Sequence, residues 1–254
     1  MTGLVATLRT RLQQRADLSE VLAEPWTMLS PGDLATRNIY LERDGKVSVG
    51  DLFDVEGQPA GRIEFRGALD LADRLGAGLR EGTVVVKGNV GQEAGLAMAG
   101  GTLEIDGDAG SRAGAAPLGY KRGMTGGELA VRGSAGPEAG TLMRRGLLVI
   151  GGTAGAQTGR GMIAGTVVIL GEAGPDTGLW SKRGSVVALG HITPPETYAY
   201  ACTYQPVHLR MTLARLRDVY RLRIERKHLT GLYHRYSGDL AELGKGEILA
   251  WTHS

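Results

Sequence analysis

Cysteine is almost missing from this chain. One thiol, Cys202, stands among 254 residues. A lone cysteine excludes an internal disulfide and an all-cysteine metal or iron–sulfur site within the chain. Charge imbalance is missing too. The 29 basic and 27 acidic residues leave a formal net charge of +2, too little to argue for nucleic acid. No apolar run approaches the 18 or so residues of a membrane span. The segment MTGLVATLRTRLQQRADL carries arginines where a secretory signal needs an apolar stretch. The expectation is a soluble, cytoplasmic protein. Proline is sparse, at nine residues, and glycine has no three-residue period, which excludes collagen. Hydrophobic residues still make up 42%, too many for a disordered chain.

What is abundant is glycine, 41 residues or about one in six. Much of it is periodic. The block GTVVVKGNVGQEAG from Gly82 returns as GTLEIDGDAGSRAG from Gly101, GELAVRGSAGPEAG from Gly127, GLLVIGGTAGAQTG from Gly146 and GTVVILGEAGPDTG from Gly165. A truncated copy, GSVVALGHIT, starts at Gly184, and the starts lie 19, 26, 19, 19 and 19 residues apart. The 26 is one period plus a seven-residue insertion within Ala115–Arg122, expected to bulge outward. GRIEFRG from Gly61 reads as a degenerate copy, and GKVSVGDLF from Gly45 as a possible further one.

Aligned in columns, the copies explain their own spacing. Val84, Leu103, Leu129, Leu148, Val167 and Val186 share one column, and Val86, Ile105, Val131, Ile150, Ile169 and Ala188 another. The position between them admits Glu104 and Ala130, the alternation of a strand with one buried face. A third column is small: Val90, Ala109, Ala135, Ala154 and Ala173. A fourth, Leu79, Met98, Met124, Met143, Met162 and Ser181, collects four of the seven methionines and reads as core. Stacked columns of this kind predict a mainly β protein, a right-handed parallel β-helix of about seven coils, with helical or irregular extensions at both ends. The predicted limits are 1–45 for the N-terminal extension, 46–193 for the β-helix and 194–254 for the C-terminal extension.

Each full copy also carries a G-x-x-G-x-x-x-G triplet. The first is Gly88, Gly91 and Gly95, the second Gly107, Gly110 and Gly114, and the third Gly133, Gly136 and Gly140. The fourth is Gly152, Gly155 and Gly159, and the fifth Gly171, Gly174 and Gly178. All fifteen are assigned a structural role at corners, where left-handed or other glycine-tolerant dihedrals turn the chain. This repeat resembles the β-helical C-terminal domain of glutamate synthase and the C subunit of formylmethanofuran dehydrogenase. The flanks GDLFDVEG (Gly50–Gly57) and YSGDLAELGKGEIL (Tyr236–Leu249) are similar to the second. The resemblance covers roughly residues 35–250. It implies a non-catalytic scaffold subunit in a larger assembly, with no cofactor of its own. Two assemblies use this type of subunit. One is a tungsten or molybdenum, iron–sulfur dehydrogenase of methanogens. The other is the formyltransferase/hydrolase complex of methylotrophic bacteria, where the chain would be the C-type member. That complex passes formyl from formyl-tetrahydromethanopterin to a methanofuran-type carrier and on to formate, within formaldehyde oxidation and one-carbon metabolism. The implied partners are amidohydrolase-like and formyltransferase subunits, with neither nucleic acid nor membrane. An Ala-, Arg- and Gly-rich, Lys-poor composition favours the second assembly.

The residues themselves nominate no catalytic or metal site. His191, His208, His228, His234 and His253 all lie at or beyond the last copy, and HExxH and Cys–His spacings are missing. His228 and His234 read as surface or interface residues, and Cys202 as a buried or neutral thiol. Gly238–Lys245, GDLAELGK, imitates a phosphate loop but has five residues between its glycines and Gly246 where Ser or Thr belongs. A nineteen-residue period does not fit hexapeptide acyltransferases, and the coils lack the acidic clusters of a polysaccharide-cleaving β-helix.

One surface feature points to binding. Arg144–Arg145 and Lys182–Arg183 precede the starting glycines of alternate copies, Arg160 lies on the turn between them, and Lys121 and Arg122 belong to the insertion. Stacking would gather them into a positive edge, read as a solvated or partner-facing margin or as a site for an acidic carrier. Val207–Lys227 reads as an amphipathic helix striped by Leu209, Leu213, Leu216 and Tyr220, with an arginine-rich outer side. Both terminal segments are expected to cover the open ends of the stack or to grip partners.

Overall fold

The computed structural model describes residues 3–23 and 26–252. In chain order its elements are β1 (Leu4–Leu8), β2 (Ala16–Asp17), α1 (Pro31–Ala35), β3 (Asn38–Leu41), β4 (Gly45–Ser48), α2 (Val49–Leu52), β5 (Phe53–Glu56), β6 (Arg62–Arg66), β7 (Ala72–Asp73) and β8 (Thr83–Lys87). They continue as β9 (Ala99–Ile105), β10 (Gly126–Val131), β11 (Leu147–Ile150), β12 (Thr166–Ile169), β13 (Arg183–Ala188), β14 (Ala199–Tyr204), α3 (Val207–Tyr220), α4 (Arg226–Thr230), β15 (Tyr233–Gly238) and β16 (Lys245–Trp251). The chain is mainly β with few helices.

The repeat becomes a ladder. Strands β6 and β8 to β13 pair in parallel, one after another, in one twelve-stranded sheet. Register follows the sequence columns: Val84 faces Leu103, Leu103 faces Leu129, Leu129 faces Leu148, and so on to Val167 and Val186. Both aliphatic columns are fully buried. A second parallel ladder of single bridges runs Leu69, Val90, Ala109, Ala135, Ala154, Ala173. Small residues suit it because the chain turns tightly there. The methionine column is buried in the same core. The insertion does bulge: Leu118 and Tyr120 are exposed, and β10 resumes the register of β9 after a shift between Gly126 and Glu128.

Five expectations need correction. First, the sheet has no free outer face over β10 to β13. Ala130, Val149, Val168 and Val187 form a second core with Leu209, Leu213, Leu216 and Tyr220. The apolar stripe of α3 lies on that face and buries these four between-column residues. Second, the helix stops at Tyr220 and not at Lys227, because Arg221 adopts a left-handed conformation, φ 54°. Third, GKVSVGDLF from Gly45 is no rung. Glu42–Asp44 form a hairpin turn, with Gly45 at φ 73° opening β4, that pairs β4 antiparallel to β3 in a separate four-stranded sheet. Fourth, the terminal segments do more than cover ends. β1 pairs parallel to β6 and β16 parallel to β13, so both extend the stack, with β5 and then β15 and β14 added antiparallel outside them.

Fifth, the triplet glycines do not share one cause. The third members, Gly95, Gly114, Gly140, Gly159 and Gly178, occupy the left-handed region, with φ between 64° and 80°. The second members, Gly91, Gly110, Gly136, Gly155 and Gly174, have no positive φ and are not turning residues in that sense. They are small because successive repeats touch. A Cβ on Gly91 would lie 2.7 Å from the Ala72 carbonyl oxygen of the preceding coil. On Gly110 it would lie 2.8 Å from the Gly91 carbon, on Gly155 2.5 Å from the Pro137 nitrogen, and on Gly174 2.7 Å from the Gly155 carbon. Of the first members only Gly88 has a positive φ; Gly107, Gly133, Gly152 and Gly171 are held small by the same contact with the preceding coil.

Candidate functional site

The basic edge is built by backbone register. The Arg144 and Arg145 amides both donate to the Met124 carbonyl, at 2.8 and 3.2 Å, and the Lys182 amide donates to the Met162 carbonyl at 2.8 Å. Between them Ile163 donates to Met143, so an uncharged rung separates the two basic pairs. Two rungs put the pairs about 10 Å apart. Arg145, Lys182 and Arg183 are exposed and Arg144 is half-buried. Lys182 Nζ lies 3.5 Å from Glu242 Oε2, whereas Arg144, Arg145 and Arg183 form no ion pair among the described residues. Arg160 belongs elsewhere: its guanidinium sits 4.4 Å from the Trp180 ring centre, and it lines a cleft with Arg112, Glu138, Leu118 and Tyr120. Lys121 and Arg122 are exposed on the insertion.

A second charged feature was legible in the sequence but only if columns are read for charge. Arg74, Glu93, Arg112 and Glu138 occupy one position per coil, each in the left-handed region with φ between 58° and 65°. Each amide bonds to a carbonyl of the next coil, which holds a conformation that costs a non-glycine residue about 1 kcal/mol or more. Their charges alternate, and the side chains join: Arg74 Nε to Glu93 Oε2 at 2.7 Å, Arg112 Nε to Glu93 Oε1 at 3.0 Å, Arg112 Nη1 to Glu138 Oε2 at 2.7 Å. Asp17 continues the ladder onto Arg74 at 2.8 Å, and Arg15 forks onto Asp73 beside it. All of these groups except Glu138 border a cleft of about 420 Å³. Burial would raise the Glu93 carboxyl, but hydrogen bonds from Arg74 and Arg112 outweigh it and hold Glu93 below the usual range. A carboxylate so stabilised is a weak proton acceptor. The ladder is suited to holding successive repeats together, not to moving protons.

The remaining candidates are placed as follows. His228 is buried, not on the surface: its Nδ1 accepts from the Glu225 amide at 3.1 Å and its ring meets Trp251 edge-on at 4.7 Å. His234 Nδ1 lies 2.6 Å from Thr203 Oγ1. Cys202 is exposed on β14, contrary to a buried reading. His253 lies outside the described residues. GDLAELGK joins β15 to β16 as a hairpin, without the strand-to-helix passage of a phosphate loop. Among the described residues no group of three His, Cys, Asp or Glu is arranged to hold a metal ion. Among the described residues no helix is long and apolar enough to cross a membrane.

No protein-family model and no curated protein matches the chain. Among solved structures it matches a chain of the formyltransferase/hydrolase complex (FhcABCD) from Methylorubrum extorquens, crystallised in complex with methylofuran. The two superpose with a TM-score of 0.77 and 33% sequence identity, over 98% of this chain and 100% of that one. The match covers nearly the whole chain and therefore extends beyond the repeats to the flanking strands and α3. The chain belongs to the family of that formyltransferase/hydrolase complex chain.

Proposed function

We propose that this chain is the C-type, non-catalytic scaffold subunit of a formyltransferase/hydrolase complex. Full-length similarity to a chain of such a complex carries the reading. The two parallel ladders, one of strands and one of single bridges, are taken as two faces of a right-handed parallel β-helix. Such a body is stiff, because every coil is bonded to its neighbours, and stiffness is what a scaffold supplies. The complex would move formyl from formyl-tetrahydromethanopterin to a methanofuran-type carrier and then to formate, in the cytoplasm. The amidohydrolase-like and formyltransferase partners would hold the active sites. Arg144, Arg145, Lys182 and Arg183 would guide an acidic carrier along the edge of the coils.

Two experiments test this. Native purification should recover the chain with amidohydrolase-like and formyltransferase subunits. Stoichiometric tungsten or molybdenum in that preparation would instead assign the chain to a formylmethanofuran dehydrogenase. Replacing Arg144, Arg145, Lys182 and Arg183 together by Ala should weaken carrier affinity with the assembly intact. Unchanged affinity would remove the edge from the mechanism.

A further inference from the structure

A second basic feature lies at the opposite ends of the same strands. The basic edge lies just before β11 and at the start of β13; this one follows β10, β11 and β12. Arg132, Gly151 and Leu170, the residues just after those strands, form a cleft of about 310 Å³ with Arg221, Leu222 and Arg223. Arg145 and Gly151 lie six residues apart across β11, about 20 Å of extended backbone.

Its construction follows from how α3 ends. Arg221 leaves the helix in the left-handed conformation. Leu222 and Ile224 then enter the second core, and the alternation leaves Arg221 and Arg223 exposed. Neither forms an ion pair among the described residues. Gly151 keeps the floor open: a Cβ there would meet the Arg132 carbonyl at 2.3 Å and Leu222 Cδ2 at 3.2 Å. Arg132 is oriented from behind, Nη1 lying 2.8 Å from Asp106 Oδ1 and Nη2 3.5 Å from Glu104 Oε2. Its Nε is buried with no hydrogen-bond partner among the described residues. Asp106 and Glu104 absorb the Arg132 charge, so Arg221 and Arg223 supply the net positive field. The carboxyl end of α3 opposes them with only about half a negative charge. No acidic residue lines the cleft.

We propose that this cleft is a binding site for a compact oxyanion, a carboxylate or a phosphate. Guanidinium groups present paired donors that match the two oxygens of such a group. The volume lies at the small end of ligand pockets, which suits one anionic group with little attached and not a nucleotide. That anion is supplied either by a small molecule or by an acidic side chain of a partner subunit seated over the end of α3.

The test uses the assembled native protein, titrated calorimetrically at low salt with sodium phosphate and, separately, with citrate. It compares the wild type with the double variants R221A/R223A and R221K/R223K. A small-molecule site predicts binding of at least one probe, weakened at least tenfold by the Ala pair and less by the Lys pair, which keeps charge but loses the fork. A partner side chain predicts no probe binding by the wild type, and release of a subunit from the Ala variant at lower salt than from the wild type. Thermal melting checks that the variants fold; both residues are exposed, so it should change little. Absence of probe binding together with unchanged salt resistance of the assembly would overturn the proposal.

Discussion

The hydroxyl of Tyr220 donates to the Glu128 carboxylate, fixing the last turn of α3 to the outer face of β10. Arg215 Nη2 reaches the same oxygen at 2.8 Å. One carboxylate at the edge of a strand therefore anchors two turns of the helix that covers the sheet. Glu128→Ala strands a buried phenol and removes the Arg215 partner. The expected cost is about 1–3 kcal/mol, or a few degrees in melting temperature for a chain this long. Tyr220→Phe should cost less, because Arg215 still satisfies the carboxylate.

The same site sets a pH dependence. Burial alone would raise Glu128, yet the hydrogen bonds from Arg215 and Tyr220 leave it below its ordinary value of 4.5. Glu93 is lowered in the same sense. A depressed carboxyl contributes stability above its unfolded pKa and loses it as pH falls through the folded one. Melting curves recorded on acidification should therefore show an acid limb that is shallower in Glu128→Gln than in the wild type.

Glu93 joins two arginines of neighbouring coils, and its side chain is 13% exposed. Glu93→Ala leaves Arg74 and Arg112 two repeats apart, one on each side of an empty rung. A loss of about 1–3 kcal/mol is expected. Added salt should shrink the difference from wild type, because Arg74 faces solvent. Denaturant melts at low and high salt read both effects.

Gly155 and Gly119 separate two meanings of glycine. Gly155→Ala must push coils apart, since its Cβ would lie 2.5 Å from Pro137 nitrogen and 2.6 Å from Gly136 carbon. Gly119 sits at φ 80° with nothing within 4 Å, so Gly119→Ala should cost only about 1–2 kcal/mol of backbone strain. Soluble yield and melting temperature should fall far more for the first.

Met143 lies fully buried in the methionine column. Met143→Ala should cost about 2–5 kcal/mol through the cavity it leaves. Met143→Leu, near in volume, should cost less than about 1.5 kcal/mol.

The sequence made the stack legible because stacking repeats its demands. Each coil meets the same neighbours, so the aliphatic, small and methionine columns recur at the pairing register and place Val84 over Leu103 without ambiguity. Features that occur once are harder to read. The period says nothing of where α3 lies, although the change from Glu104 to Ala130, Val149, Val168 and Val187 marks the strands it covers. Nor does it reveal that β1 and β16, outside the repeats, extend the same sheet. Glycine itself hides two demands behind one letter: Gly114 answers to its own dihedral and Gly110 to the coil beneath it, and spacing alone does not tell them apart. The Arg74–Glu93–Arg112–Glu138 ladder was periodic, but its period is in charge, and a search for buried columns passes over it. The cleft at Arg132 needs Arg221 and Arg223 to fold back from some ninety residues away in sequence, and local patterning carries no trace of that return.

The central claim is that this chain organises the chemistry of its complex and performs none of it. The direct measurement is turnover of the formylated carrier to formate by three preparations: the whole complex, the complex reconstituted without this chain, and the chain alone. The account predicts full turnover only from the whole complex. It predicts loss of co-assembly of the other subunits when this chain is omitted, and no turnover by the chain alone. Formate release by the isolated chain, or an intact and fully active complex without it, would contradict the account.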